Sequence, residues 1–186
     1  MKKKTTLELG RISAEAFEKA QKLPLRVVLD NVRSQHNIGA VFRTADSFLL
    51  DEIELCGICC CPPNQELHKT ALGAEETVPW RYWKETLEAV HALHEEGYTV
   101  YAVEQAFGAM TLREAATLVE SRKTAALKDK RRIAVVFGHE VFGVQQEVID
   151  ACDGCIEIPQ YGTKHSLNVS VTAGIVLYEL SEALRA

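Results

Sequence analysis

Between Leu25 and Pro159 the hydrophobic period of the chain switches back and forth, and this constrains the fold more than any other feature. The β-branched run "LRVVLD", Leu25 to Asp30, gives way to helical spacing at Ile38, Val41, Phe42, Ala45 and Phe48. Further strand-like runs lie at Glu52 to Gly57, Tyr98 to Glu104, Ile133 to Gly138 and Gly154 to Pro159. Helical spacing recurs through Leu87, Val90, Leu93 and His94, closed by Gly97, then in "QQEVIDAC" and finally from Leu167 to Leu184. Strands alternating with helices predict an α/β domain with a parallel sheet covered on both faces. In such sheets ligands bind beyond the carboxyl ends of the strands, which marks Asn31, Glu104, Gly138 and Pro159 as the floor of a site. Residues 5 to 22, with Leu7, Leu9, Ile12, Ala16 and Ala20, read as a helical arm ending before Pro24. The expected organisation is therefore an arm at 1–24 and one domain at 25–186. The stretch around Pro62, Pro63 and Asn64 reads as turns, and "LREAATLVESRK" is helix-like within the long connection from Gln105 to Arg131.

Length and charge narrow the function classes. A chain of 186 residues, 47% hydrophobic, suits a single buried core. The formal net charge of −5 argues against a nucleic-acid binder whose whole surface is basic. Basic residues are nevertheless concentrated at Arg122, Lys123, Lys128, Lys130, Arg131 and Arg132, as a solvated loop or as a phosphate-binding patch. The longest apolar runs fall short of the roughly 18 residues that span a bilayer. Lys2, Lys3 and Lys4 lead into Leu7, Glu8 and Gly10 rather than a signal-peptide core, so a soluble cytoplasmic protein with no membrane partner is expected. Two CxxC pairs, Cys56/Cys59 and Cys152/Cys155, lie much farther apart than the roughly 15 to 20 residues of a compact zinc ribbon. Reduced thiols packed as small apolar groups are the expectation, with no metal, against the alternatives of zinc or a redox pair.

Three blocks carry groups suited to chemistry. In "FGHEVFGV", Phe137 to Val144, two glycines flank a His and a Glu just after a strand. Such a turn lets backbone approach a ligand and places a helix N-terminus against an anion or a polar cofactor; a purely structural turn is the alternative. The block is not GxGxxG, which disfavours a dinucleotide-binding enzyme. In "DNVRSQHNIGAVFRTAD", Asp30 to Asp46, Asn37 is positioned to cap a helix containing Arg43. Arg43 there is a phosphate or ribose clamp, or one half of a salt bridge to Asp46 or to another nearby carboxylate. In "IPQYGTKHSLNVSVTAG", Ile158 to Gly174, Ser166 is a good cap for the last helix, while Asn168 and Ser170 are polar groups that need specific partners.

These blocks, in this order, resemble the TrmH (SpoU) family of the SPOUT RNA methyltransferases. The resemblance rests on Asn37, Gly39 and "RTAD", on "FGHEVFG", and on "IPQYGTKHSLNVSVTAGIVLYE", with "KTALGAEETVPW", Lys69 to Trp80, between the first two. It runs from about Leu25 to Glu182, and Gln160 stands where many members carry Met. It implies a parallel sheet flanked by helices, with the C-terminal segment threaded into a deep trefoil knot, and a homodimer whose active site is completed across the interface. It also implies S-adenosylmethionine as cofactor and methyl transfer to a ribose 2′-hydroxyl of tRNA or rRNA. Carried onto this chain, the cofactor site comprises Val103, Glu104, Phe137, Gly138, Ile158, Gln160, Ser166 and Leu167. The catalytic candidates are Asn37, Arg43, Glu140 and Asn168, with the proton of the hydroxyl passing to Arg43, Glu140, a water or the RNA phosphate. The chain resembles a minimal member, so substrate choice is expected to rest on the dimer surface, Lys2 to Lys4, Arg33 and the Arg122 to Arg132 run. A non-catalytic RNA-binding relative is the rival reading.

Overall fold

The computed structural model describes residues 1–5, 7–122 and 132–186. Seven strands form one sheet in the order β3-β2-β1-β6-β4-β7-β5, and every pairing is parallel. The strands are β1 (Leu23–Asp30), β2 (Leu50–Cys56), β3 (Trp80–Trp83), β4 (Thr99–Val103), β5 (Met110–Thr111), β6 (Ile133–Phe137) and β7 (Gly154–Glu157). The helices are α1 (Ala14–Lys19), α2 (Gln35–Ser47), α3 (Gln65–Ala71), α4 (Ala74–Thr77), α5 (Thr86–Glu95), α6 (Leu112–Ser121), α7 (Gln146–Ala151) and α8 (Val169–Arg185).

The two faces of the sheet bury two clusters, as period-2 alternation requires. Val27 and Leu29 of β1 and Val135 and Phe137 of β6 join the side chains of α2, α6 and α8. Val28, Ala134 and Val136 turn the other way, onto Ala89, Val90 and Leu93 of α5 and Val148 of α7. The expected α/β sheet covered on both faces is what the chain forms. Gly39 lets α2 sit tightly on α3, because a Cβ there would collide with the Leu67 carbonyl and the Thr70 hydroxyl.

Several local expectations change. The arm is not one helix: a 3-10 turn at Leu7–Leu9 is followed, after Gly10 in the left-handed region (φ +62), by α1 capped by Ser13. Phe17 alone of α1 is buried, and it joins the main core. The first strand begins at Leu23, two residues before the expected start. The turn-rich reading after Cys56 passes over α3, α4 and β3. Ser34, not Asn37, caps α2, accepting from the Asn37 N–H at 3.3 Å. Asn168, not Ser166, caps α8, accepting from the N–H groups of Ser170 and Val171. Of the basic run, Arg122 and Arg132 are within the described residues and the positions between them lie outside. Arg132 donates to the Glu96 carbonyl at 2.9 Å, which ties that end of the run to the fold.

No helix among the described residues is long and apolar enough to cross a membrane. Cys56 and Cys59 are buried, and burial raises the Cys59 and Cys152 thiols to about 12, so neither is a thiolate near neutral pH. The Cys59 thiol donates to the Leu29 carbonyl at 3.2 Å. Among the described residues the one group of three metal-ligating side chains is His68, Glu75 and Glu76, which contains no cysteine.

Candidate active site

A cavity of about 1240 Å³ lies where β6, β4 and β7 end side by side. The chain reaches β7 last and inserts it between β4 and β5, so loops distant in sequence converge there. All eight expected cofactor residues line this one cavity: Val103 and Glu104 from the end of β4, Phe137 and Gly138 from β6, Ile158 and Gln160 after β7, and Ser166 and Leu167 before α8. Of the four residues expected as its floor, Glu104 and Gly138 line it, whereas Asn31 and Pro159 do not. The segment before α8 is held over the cavity by Gln105, whose side-chain amide donates to the His165 carbonyl at 2.7 Å.

Three carboxylates grip the wall formed by the β6–α7 loop. His139 and Gly143 exchange two backbone hydrogen bonds, of 3.0 and 2.8 Å, which close the loop tightly. Gly143 has φ +68, and a Cβ on it would run into the Glu104 carboxylate. A Cβ on Gly138 would meet the backbone of Gly143 and Val144. Both glycines are therefore required by the closure of the loop itself. Glu104 then accepts from Val144 N–H at 3.1 Å. Asp30, fully buried, accepts from the Gln145 N–H and side-chain amide at 3.1 and 3.0 Å and from the Thr86 hydroxyl at 2.6 Å. Four hydrogen bonds, counting Asn31 at 3.0 Å, satisfy a charge that would otherwise be costly to bury.

Glu140 is the third carboxylate, and it faces the N-terminus of α2. It accepts from Arg33 N–H at 3.0 Å, from Ser34 N–H at 2.9 Å and from the Asn37 side-chain amide at 3.0 Å. Burial opposes its ionisation, but the backbone N–H groups of Glu140, Ser34 and Arg33 and the Asn37 amide outweigh it and hold the carboxyl below its ordinary range. The Asn37 carbonyl oxygen in turn accepts from the Asn168 amide at 3.1 Å. Asn168 uses its own carbonyl oxygen to cap α8 and to accept from the Ser170 hydroxyl at 2.6 Å. Three of the four catalytic candidates thus form one chain, Glu140 to Asn37 to Asn168, and Glu140 and Asn168 also line the cavity.

Arg43 stands apart. It is exposed on α2 and lines a second, smaller cavity of about 520 Å³ bounded by α3 and α8. Its guanidinium has no hydrogen bond or ion pair among the described residues, and Asp46, the expected salt-bridge partner, instead accepts from the Thr77 hydroxyl at 3.2 Å. The roles of Asp30, Gln145 and the Glu104 side chain escaped the sequence reading because each acts on a partner at least forty residues away. The one local signal was Gly143, three residues after "GHE", at a turn whose positive φ favours glycine.

Of the two ligands expected at this turn, the electrostatics suit a polar cofactor better than an anion. Glu104, Glu140, Asp150 and Glu157 line the large cavity, with two histidines and, among the described residues, no Lys or Arg. Such a wall repels a dinucleotide pyrophosphate and suits a ligand with cationic groups. Apolar Phe137, Ile156, Ile158 and Leu167 in the same lining suit a flat heterocycle.

Comparison with known proteins bears on the family and the fold. A model of the SpoU rRNA Methylase family matches residues 24–178. A tRNA (guanosine(18)-2′-O)-methyltransferase of Thermus thermophilus is 32% identical over 179 residues, covering 96% of this chain and 84% of that protein. The 23S rRNA (guanosine-2′-O-)-methyltransferase RlmB of Nitrosomonas europaea is 34% identical over 155 residues, and this chain spans only 55% of its length. Among solved structures, the A. aeolicus TrmH/SpoU tRNA modifying enzyme aligns with a TM-score of 0.74 at 27% identity, covering 92% of this chain and 80% of that one. An AdoMet-bound rRNA methyltransferase from Sinorhizobium meliloti shares the fold, with a TM-score of 0.72 at 24% identity, covering 89% of this chain and 59% of that one. With a family match across most of the sheet and all three blocks, the chain belongs to the SpoU rRNA methylase family.

Proposed function

We propose that this chain transfers a methyl group from S-adenosylmethionine to a ribose 2′-hydroxyl of tRNA or rRNA in the cytoplasm, using a site completed by a second copy of itself. The observation that carries the reading is the single cavity lined by all eight cofactor candidates and closed by the Glu140–Asn37–Asn168 chain. Family membership and the tRNA- and rRNA-modifying relatives support the reaction class. S-adenosylmethionine, when bound, supplies an electrophilic methyl group on a cationic sulfur. Its adenine fits the apolar part of the wall, and its sulfonium and ammonium groups, which outnumber its single carboxylate, fit the acidic lining.

The residues of the chain then act by positioning. In-line displacement demands that the ribose oxygen sit close to the methyl carbon, and the hydrogen-bonded asparagine pair fixes one wall of that approach. Glu140 is a poor proton acceptor, because both its oxygens already receive hydrogen bonds and its carboxyl is held acidic. Its role is to lock the cofactor loop to α2 and to orient Asn37. Arg43 grips the phosphate beside the target ribose and orients the hydroxyl, whose proton leaves to water or to that phosphate.

Because Arg43 and the cofactor cavity lie in different places on one chain, the partner's Arg43 serves each site. An unpartnered apolar face supports the dimer: Val171, Ile175 and Tyr178 are exposed at helical spacing on α8, beside Leu167 at the cavity rim. The expected trefoil threading is supported by the late insertion of β7 between β4 and β5 and by the return of the 158–168 segment past Gln105.

A mixing experiment tests this reading. Arg43→Ala and Asn168→Ala variants are each inactive; combined and allowed to exchange subunits, they regain about a quarter of wild-type activity, since half of the dimers carry one intact site. Absence of any recovery, with exchange demonstrated, would place the whole site within one chain.

A further inference from the structure

The small cavity beside Arg43 has a chemistry of its own. It is lined by Arg43, Thr44 and Ser47 of α2, Lys69 and Thr70 of α3, and Gly174 of α8, with two cations and, among the described residues, no carboxylate. The three hydroxyls donate internally, Thr44 to the Ala40 carbonyl at 2.9 Å, Ser47 to the Arg43 carbonyl at 2.8 Å and Thr70 to the His36 carbonyl at 2.9 Å. Their oxygens retain lone pairs, so the wall offers cationic N–H donors and hydroxyl acceptors together. An RNA sugar–phosphate unit presents the complement, anionic acceptors and a 2′-hydroxyl donor.

Lys69 is not idle in the absence of such a unit. Its ammonium lies 2.6 Å from Glu66, and the same carboxylate sits 3.5 Å from His36. Glu66 does not line the cavity; Lys69 is exposed and Glu66 half-exposed, so solvent screens the pair. A phosphate with its charge-assisted hydrogen bonds competes well against a contact of that kind.

We infer that Lys69 is a second phosphate ligand beside Arg43, and that Glu66 is an internal placeholder that gives Lys69 up when an RNA sugar–phosphate unit enters the cavity. The inference rests on the reading that the chain acts on RNA, and it adds a binding role for Lys69 that the three sequence blocks did not mark.

The test is equilibrium binding of the full-length protein to unmodified total tRNA, titrated from roughly 50 to 200 mM salt. Sedimentation, thermal unfolding and S-adenosylmethionine binding are measured on the same samples. Lys69→Ala weakens tRNA binding several-fold and reduces the salt slope by about one, whereas Lys69→Arg retains both. Glu66→Gln tightens binding, because the placeholder loses its charge. Cofactor affinity, dimerisation and melting temperature stay at wild-type values in all three. A Lys69→Ala slope and affinity equal to wild type overturn the inference, as does a change confined to dimer dissociation, which would make the cavity a subunit contact. These results differ from failure of the parent reading, in which the wild-type protein neither binds nor methylates tRNA or rRNA.

Discussion

Glu140 and Arg43 have separate surroundings at the level of single side chains, the first lining the large cavity and the second the smaller one. Glu140 is saturated by donors from α2, so replacing it with Gln leaves Arg33 and Ser34 N–H groups competing for one oxygen and costs about 1–2 kcal/mol of stability. Transfer falls roughly tenfold to a hundredfold, through misplacement of Asn37 and the cofactor loop. The sign of the pH dependence follows from its lowered pKa: the stabilisation is complete above the unfolded value of about 4.3 and is lost as pH falls through the folded value. Thermal unfolding of wild type and Glu140→Gln should therefore differ at pH 7, and the gap should narrow as the solution is acidified; a gap that does not change with pH would remove the charge from the explanation. Arg43→Ala is expected to reduce transfer by at least about a thousandfold while S-adenosylmethionine affinity stays within about twofold, because the guanidinium lies outside the cofactor cavity. Calorimetric titration of that variant with the cofactor decides the point. The residue types were legible in the sequence, but two of their local tasks were not. Asn37 and Ser166 both look like caps; Ser34 and Asn168 do the capping, and Asn37 is free to join Glu140 to Asn168. Capping is settled by one or two residues of helix start, which is below what hydrophobic spacing resolves.

Helix α8 carries both residues of the large cavity and an exposed apolar face. Its N-cap is Asn168, its inner face buries Ala173, Val176, Leu177 and Leu180, and its outer face leaves Val171, Ile175 and Tyr178 exposed. Ile175→Glu combined with Tyr178→Glu should give a folded monomer that binds cofactor yet fails to methylate, as sedimentation and activity measurements will show. A variant that stays dimeric and active would move the interface elsewhere. At the α2–α3 contact the constraint is steric: Gly39→Ala forces backbone apart and should cost about 1–3 kcal/mol in chemical denaturation, with secondary loss of activity at Arg43. The long elements were readable because their periods persist over many residues. The missed ones are short, α4 being four residues, β3 four and β5 two, and α3 follows directly on the Pro-rich turn that obscured it. Alternation alone also overran the arm, where Gly10 breaks the helix that the apolar spacing suggested.

Across the whole molecule, strand order does what no local pattern announces. A β-α alternation implies parallel strands but not that β6 settles between β1 and β4, or that β7 enters between β4 and β5. That order brings the ends of β4, β6 and β7 together, stacks three carboxylates around one loop, and gathers residues from Val103 to Leu167 into one acidic cavity. Long-range pairings of this kind depend on the packing of both sheet faces at once, so only the resemblance of three ordered blocks pointed to the complete site. The central claim is the reaction itself. Purified protein is incubated with isotopically labelled S-adenosylmethionine and with tRNA and rRNA from cells lacking it, and the RNA is digested to nucleosides for mass spectrometry. The expected product is a labelled 2′-O-methyl nucleoside, formed by the wild-type protein and absent with Arg43→Ala; label on a base, or none in either RNA, would contradict ribose methylation by this chain.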